Sequence, residues 1–215
     1  MTEIKICCIS SHDEARLALE TGAGILGLVS AMPSGPGVID EMLISSIAAS
    51  VEPPAQTFLL TSLCDGDAII AQHRRCGTSG IQLCDALPRG TLPRLRDALP
   101  GVRLVQVVHV TSEASYDEAM LAAGEADALL LDSGNPLLRV KELGGTGRVH
   151  DWTISRRICA DAGVPVFLAG GLGPGNVAEA LRAVGATGVD ICSGVRTNGA
   201  LDRAKLARFI AAARA

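Results

Sequence analysis

The segment VPVFLAGGLGPGNVAEALRAVGATGVDICSGV, residues 164–195, carries the pattern that decides the fold. Two short and mainly apolar runs, 164–170 and 188–194, enclose the stretch NVAEALRAVG, which has a helical pattern and closes on Gly185. A run that is continuously apolar, rather than alternating, is typical of a parallel strand covered on both faces. The segment therefore predicts strand, helix and strand, which is one βαβ unit.

The same rhythm extends over the whole chain. Six further apolar runs precede this segment, at 4–9, 24–30, 56–61, 80–84, 103–110 and 126–132. Eight strand–helix units in 215 residues predict a (β/α)8 TIM barrel, and we expect one domain over residues 1–215. The alternative is a doubly wound open sheet, but CCISSHDEA after the first strand lacks its GxGxxG fingerprint.

Local signals refine the first and last units. Ser11 and Glu14 form a capping-box pattern that predicts the start of the first helix. LDRAKLARFIAAARA predicts a final helix. Alternation along the first strand places Cys7 on the same face as Lys5 and Ile9, and directs Cys8 toward the helices as a small core residue.

Composition limits the possible partners and the location. The net charge is −4, no basic run is present and aromatic residues make up 2%, which argues against nucleic acid as a partner. No apolar run has the length of a membrane span, and MTEIKICCIS is not a signal peptide pattern. Seven cysteines without a CxxC pair favour reduced thiols and a cytoplasmic location.

Residues at the carboxyl ends of the strands are the candidates for chemistry in such a barrel. Glycine pairs follow strands seven and eight, where barrels commonly bind phosphate through backbone N–H groups. GGTG, residues 144–147, is expected to supply further backbone N–H donors to the phosphate or to act as the hinge of a lid. The alternative is that these glycines only make tight strand-to-helix turns.

Two ionisable side chains stand at strand ends. Asp132 follows an apolar run, so burial predicts a raised pKa and a role as general acid, or else it orders a loop as a hydrogen-bond acceptor. Cys7 is a general base if its thiolate is stabilised, or an inert core residue. A metal site from Cys7, Cys84, His109 and Asp132 is disfavoured because no two of them have the spacing of a metal motif.

Five motifs, in the order KICCIS, LLLDS, GGTGRVHDW, LAGGLGPGNV and VDICSGV, resemble the phosphoribosylanthranilate isomerase family. They extend from Lys5 to the last helix, so the resemblance covers nearly the whole chain. It implies a (β/α)8 barrel without metal or organic cofactor that performs an Amadori rearrangement in tryptophan biosynthesis. The implied ligand is a small phosphorylated sugar or aminosugar, and the implied assembly is a monomer or a homodimer.

The resemblance also implies roles for residues of this chain. Cys7 matches the general base of the family and Asp132 its general acid. The phosphate is expected on Gly145, Thr146, Gly147, Gly170, Gly171, Ser193 and Gly194. Further substrate contacts are expected from Lys5, Cys84, His109, Arg148, His150 and Arg196.

Several family positions are changed, and they cluster in the half of the barrel mouth that would meet the aromatic ring. An arginine associated with the anthranilate carboxylate is replaced in PSGPGVI by Pro36, which offers neither a cation nor an N–H donor. The remaining changes are Cys8 for a glycine, Cys84-Asp85 for His-Gly, His150 for a phenylalanine and Arg196 for a glutamate.

These changes leave two alternatives to a phosphoribosylanthranilate isomerase. One is a divergent paralogue that keeps the phosphate site and the acid–base pair but acts on another phosphorylated sugar or aminosugar. The other is a non-catalytic protein that binds a phosphorylated metabolite.

Overall fold

The computed structural model describes residues 2–144 and 150–215, and it confirms the predicted (β/α)8 barrel. All eight apolar runs form strands, and the barrel closes where β1 pairs with β8. The strands are β1 (Glu3–Ile6), β2 (Ile25–Val29), β3 (Gln56–Thr61), β4 (Gly80–Leu83), β5 (Arg103–His109), β6 (Ala128–Asp132), β7 (Val166–Leu168) and β8 (Gly188–Ile191).

A helix follows each strand and covers the outside of the barrel. The helices are α1 (His12–Thr21), α2 (Glu41–Ala49), α3 (Gly66–Cys76), α4 (Thr91–Ala98), α5 (Ala114–Ala123), α6 (Trp152–Asp161), α7 (Val177–Val184) and α8 (Arg203–Arg214). A short antiparallel pair, β9 (Arg196–Thr197) and β10 (Ala200–Leu201), lies between β8 and α8. No described helix is both long and apolar enough to cross a membrane.

The start of α1 confirms one half of the predicted capping box. The Ser11 hydroxyl accepts a hydrogen bond from the backbone N–H of Glu14 at 3.1 Å. The carboxylate of Glu14 instead accepts from the Ser10 backbone and from Arg196, which lies 182 residues further along the chain. Glu14 therefore ties the β1–α1 loop to the segment after β8.

The apolar residues form two cores because successive strand residues face opposite sides of the sheet. The larger core lies between sheet and helices, and includes Ile4, Ile6, Leu59 and Leu129. The smaller core fills the barrel interior, and includes Phe58, Val105, Leu130 and Phe167. Continuous apolar runs were therefore the correct signal for strands that are buried on both faces.

The amino-terminal end of the barrel is closed by an arginine between two phenylalanines. The Arg103 guanidinium lies 5.9 Å from the Phe58 ring and 5.3 Å from the Phe167 ring, and donates to both carboxylate oxygens of Glu3 at 2.7 and 3.0 Å. The Phe58 ring packs over Gly80 and the Phe167 ring over Gly188, in each case a glycine on the next strand.

We expect Gly188→Ala to destabilise the protein by about 1–3 kcal/mol because the barrel interior is closely packed. The added methyl would lie 2.6 Å from the Phe167 ring and 3.0 Å from the Glu3 carbonyl oxygen. Thermal unfolding should show a lower Tm than wild type. Gly124→Ala is the control, since its methyl would meet nothing nearer than 3.5 Å. Equal melting temperatures for the two variants would contradict this packing.

Candidate active site

A cavity opens at the carboxyl ends of the strands. Its walls include residues that follow β1, β6, β7 and β8, which places the predicted acid, base and glycine pairs around one space. The predicted residues that line it are Cys7, Cys84, Asp132, Gly170, Gly171, Ser193 and Gly194.

Cys7 lies at the floor of the cavity, just beyond β1. Its backbone N–H donates to the Ile191 carbonyl at 2.8 Å, which continues the pairing of β1 with β8. Its side chain faces inward into space left by Gly27, where a methyl group would lie 3.1 Å from the sulfur. The thiol is therefore fixed in position by backbone pairing and by a glycine on the neighbouring strand.

Asp132 ends β6, on another wall of the same cavity. The residue is 7% exposed, and its Oδ1 accepts from the Ser133 backbone N–H at 2.7 Å. Burial raises the pKa of Asp132, although the Ser133 N–H and the nearby His109 act in the opposite direction. A carboxyl group with a raised pKa keeps its proton to higher pH and can deliver it to a ligand.

Beneath the cavity, Lys5 and Asp190 form a buried ion pair with a separation of 2.8 Å. Burial alone would lower the pKa of Lys5, but the Asp190 carboxylate, together with Cys7 and Cys8, raises it, so the amine stays charged. A methyl at Gly27 would lie 2.9 Å from Lys5 Nζ, so this cation borders the same small space as the Cys7 sulfur.

Sequence reasoning missed Asp190 as a site residue, although a signal was present. Asp190 interrupts the apolar run GVDIC, and alternation from Gly188 directs it into the barrel with Cys192. A charged residue that faces a barrel interior needs a partner of opposite charge, and Lys5 on the adjacent strand is the inward-facing candidate.

The predicted glycines after β7 adopt a backbone that favours glycine. Gly170 and Gly171 have φ values of 81° and 62°, in the left-handed region. Asn176 orders this turn because its side chain accepts from Gly173 N at 2.8 Å and donates to the Gly171 carbonyl at 3.0 Å. The backbone between β7 and α7 is therefore held in one shape along the cavity wall.

A second part of the same wall follows β8. Ser193 and Gly194 begin a 3₁₀ turn, Ser193–Val195, and both line the cavity. A methyl at Gly194 would lie 2.2 Å from the Leu172 carbonyl oxygen, so only glycine allows this approach of the two loops. Gly145, Thr146 and Gly147, the other predicted phosphate contacts, lie outside the described residues.

The long loop after β6 is bound to two neighbouring loops. The Ser34 hydroxyl donates to the Lys141 carbonyl at 2.6 Å, and the Lys141 amine forms an ion pair with Asp85. Ser34 and Pro36 line the cavity from the β2–α2 loop, opposite Leu143 and Gly144. The positions that differ from the family therefore include residues that hold this side of the mouth together.

The remaining predicted substrate contacts are not among the described lining of the cavity. His109 points its Nε2 at the Cys84 carbonyl oxygen, 3.0 Å away, and Arg148 lies outside the described residues. His150 Nε2 lies 2.7 Å from the Ser155 hydroxyl, and burial lowers the pKa of His150 to about 4. Arg196 binds Glu14 and the Cys8 carbonyl, so its charge is already matched.

The predicted direction of Cys8 is wrong. Strand β1 ends at Ile6, and Cys8 has a φ of 62°, which breaks the alternation on which the prediction rested. As a result the Cys8 thiol faces the cavity, while Ile9 packs in the outer core. The family glycine at this position is consistent with a left-handed backbone, which a side chain adopts at a cost of about 1–2 kcal/mol.

Comparison with known proteins tests the resemblance. Residues 65–212 match the model of the N-(5'-phosphoribosyl)anthranilate isomerase family. The enzyme of that name from Methanocella arvoryzae is 33% identical to this chain over 91% of its length and 89% of the relative. The chain belongs to the phosphoribosylanthranilate isomerase family.

Solved structures of phosphoribosylanthranilate isomerases have the same fold. The one from Thermococcus kodakaraensis has a TM-score of 0.82 and 26% identity, and the match covers 100% of this chain and 99% of that one. Another, solved in complex with reduced 1-(o-carboxyphenylamino)-1-deoxyribulose 5-phosphate, has a TM-score of 0.82, 22% identity and the same coverage. The resemblance drawn from five short motifs is therefore confirmed at the level of the family and the fold.

Proposed function

We propose that this chain catalyses the Amadori rearrangement of N-(5'-phosphoribosyl)anthranilate to its ketose, with Asp132 as general acid and Cys7 as general base. The observation that carries the proposal is that both side chains line one cavity, together with two glycine-containing turns. Family membership supplies the reaction, and the cavity supplies groups of the required types. Neither a metal nor an organic cofactor takes part in this scheme.

The reaction requires two proton transfers. Asp132 protonates the ring oxygen of the ribose, and the C1–O bond breaks to give a Schiff base. Cys7 then removes the proton at C2, and the resulting enolamine tautomerises to the ketose. The raised pKa of Asp132 supports its role as donor, and the Lys5 ammonium provides a positive charge next to the sulfur that receives the proton.

The phosphate of the substrate is assigned to the two turns after β7 and β8. Gly170, Gly171, Ser193 and Gly194 border the cavity there, where barrels of this class commonly bind phosphate. A family member binds a phosphorylated deoxyribulose derivative in a solved complex, which supports a small phosphorylated aminosugar as the ligand class. A cytoplasmic location, a monomeric or homodimeric state and a single domain over 1–215 stay predictions.

Inorganic phosphate should stabilise the fold if these turns bind it, because a ligand that binds only the native state shifts the equilibrium by mass action. At a concentration one hundred times the Kd the gain is about 2.7 kcal/mol, which raises the melting temperature by several degrees. Thermal unfolding in phosphate and in sodium chloride of equal ionic strength measures the difference. Identical melting temperatures at millimolar phosphate would count against an anion site.

A second candidate function is isomerisation of a different phosphorylated aldosylamine. Pro36 favours it, because it lines the cavity where the family has its carboxylate-binding arginine. The ion pair of Lys141 with Asp85 favours it too, because it engages a cation that lies, among the described residues, on this side of the mouth. Loss of a charge-assisted, bidentate contact typically costs about 1.5–3 kcal/mol of binding.

Complementation distinguishes the two candidates. The gene is expressed in a bacterial strain that lacks its own phosphoribosylanthranilate isomerase and needs added tryptophan. Growth without tryptophan that is lost in Cys7→Ala supports the first candidate. Absence of growth, with the protein present in soluble form, would favour another phosphorylated substrate.

A further inference from the structure

Four cysteines, Cys7, Cys8, Cys84 and Cys192, line the cavity, which is more thiols than the proposed reaction uses. Cys7 has a role as base, and Cys84 is fully buried beside Gln82, where burial raises its pKa. Cys8 and Cys192 take part in no step of the rearrangement. Their positions relative to one another call for an explanation.

Backbone pairing brings Cys8 and Cys192 together. The hydrogen bond from Cys7 N to the Ile191 carbonyl, 2.8 Å long, keeps the two chain segments side by side just beyond β1 and β8. The left-handed φ of Cys8 then turns its side chain into the cavity, where Cys192 packs against the same inner cluster and both thiols line the wall.

Two further contacts hold Cys8 in this position. Arg196 donates to the Cys8 carbonyl oxygen at 2.5 Å and is itself fixed by Glu14. On the other side the backbone of Gly37 lies so close that a methyl group there would be 2.4 Å from Cys8 Cβ. The position of Cys8 beside the segment that carries Cys192 is therefore fixed by the fold.

The two sulfurs differ in their tendency to ionise. The neighbouring Cys8 thiol lowers the pKa of Cys192, and the Arg196 guanidinium adds to this effect, while burial opposes it. The pKa of Cys8 is raised, first by the Cys192 thiol and then by the Cys7 thiol and by burial. A thiol of lowered pKa that is partly accessible and sits beside a second thiol has the properties of an oxidant-sensitive pair.

We propose that Cys8 and Cys192 form a reversible oxidation site that reacts with hydroperoxides and closes as a disulfide at the wall of the active-site cavity. The Cys192 thiolate attacks the peroxide oxygen, which gives a sulfenic acid and releases hydroxide. The Cys8 sulfur then attacks the sulfenic sulfur, and its proton leaves with the hydroxyl as water. In total, two thiols lose two electrons and two protons, and one hydrogen peroxide becomes two waters.

The bond would join the residue after the proposed base to the residue before Ser193. It would therefore reshape the catalytic floor and the phosphate wall at once, and we expect the oxidised form to lose isomerase activity. The oxidation site itself does not depend on the proposed function, because the disulfide is detected by mass regardless of the substrate.

The test is peptide mapping of the full-length protein after exposure to millimolar hydrogen peroxide. Trypsin places Cys7 and Cys8 on the peptide 6–16 and Cys192 on the peptide 183–196. We expect these two peptides to be linked with the loss of two hydrogens, and dithiothreitol to release them. Isomerase activity should fall at least tenfold on oxidation and return on reduction.

Variants identify the sulfurs involved. Cys8→Gly suits the left-handed backbone and should prevent the link, as should Cys192→Ser. Cys64→Ser, at a cysteine that does not line the cavity, should leave the link intact. Each variant is compared with its own untreated sample. A link that persists in Cys8→Gly would show that Cys7 is the partner and would overturn the proposal. Oxidation to a sulfinic acid without any link would also overturn it.

Discussion

Asp132→Asn is expected to lower kcat by about 10²–10⁴-fold, the usual contribution of a positioned general acid. The amide keeps the shape of the carboxyl group but cannot deliver a proton to the ring oxygen. The same substitution should raise the melting temperature, because the buried carboxyl group disfavours its charged form. Activity and stability would then change in opposite directions.

The pH dependence supplies a further check on Asp132. Burial raises its pKa, so the protonated, active form persists above the ordinary pKa of an aspartate and is lost as the pH rises through the raised value. In wild type kcat/KM should therefore fall as the pH rises through the raised pKa of Asp132. The Asp132→Asn variant should not show this fall. Asp97→Asn, on the exposed face of α4, is the control and should match wild type. A fully active Asp132→Asn enzyme would exclude the assigned role.

Lys5→Met is expected to cost about 3–5 kcal/mol of stability, because it leaves the Asp190 carboxylate buried without its partner. The Asp190 side chain is only 11% exposed, so water replaces the lost ammonium only in part, from the cavity side. The double variant Lys5→Met with Asp190→Leu should recover much of the loss, since an apolar pair of similar volume often replaces a buried ion pair without penalty.

Urea unfolding of wild type, Lys5→Met and the double variant measures these free energies. The control is Arg157→Met, which breaks an exposed ion pair with Glu113 and should change stability by no more than about 1 kcal/mol. If Lys5→Met were as stable as Arg157→Met, the buried pair would not hold the barrel floor together.

The strands and the residues at their ends could be predicted from the sequence because each depends on local pattern. Continuous apolar runs located all eight strands, and Cys7 and Asp132 follow from the position of a polar side chain at the end of such a run. Four of the eight helices, α2, α3, α4 and α6, were implied by the βα rhythm alone. A local signal was nevertheless present in three of them, because α2, α3 and α6 begin after Asp40, Asp65 and Asp151, whose side chains accept from backbone N–H groups.

Contacts between distant segments could not be predicted in this way. The ion pair of Lys141 with Asp85 spans 56 residues, and that of Arg196 with Glu14 spans 182. Both depend on which loops meet at the barrel mouth, and a single sequence does not specify that geometry. Arg196 illustrates the consequence: its bonds to Glu14 and to the Cys8 carbonyl were not predicted, and its contact with substrate stays a prediction.

The predicted direction of the Cys8 side chain was wrong because of one backbone dihedral angle, the positive φ of Cys8. Alternation holds only while the strand continues, and no residue type in CCIS marks the change to a positive φ. The family glycine at this position was the available signal, because glycine is the residue that adopts such a backbone most readily.

The most direct test of the proposed function is a turnover assay of the purified protein. Freshly generated N-(5'-phosphoribosyl)anthranilate is added, and its fluorescence is followed with wild type and with Cys7→Ala. Our account predicts that wild type removes the fluorescence with saturable kinetics and that Cys7→Ala is slower by at least about 10²-fold. A folded wild-type protein that gives no faster decay than buffer, or a Cys7→Ala variant as fast as wild type, would contradict it.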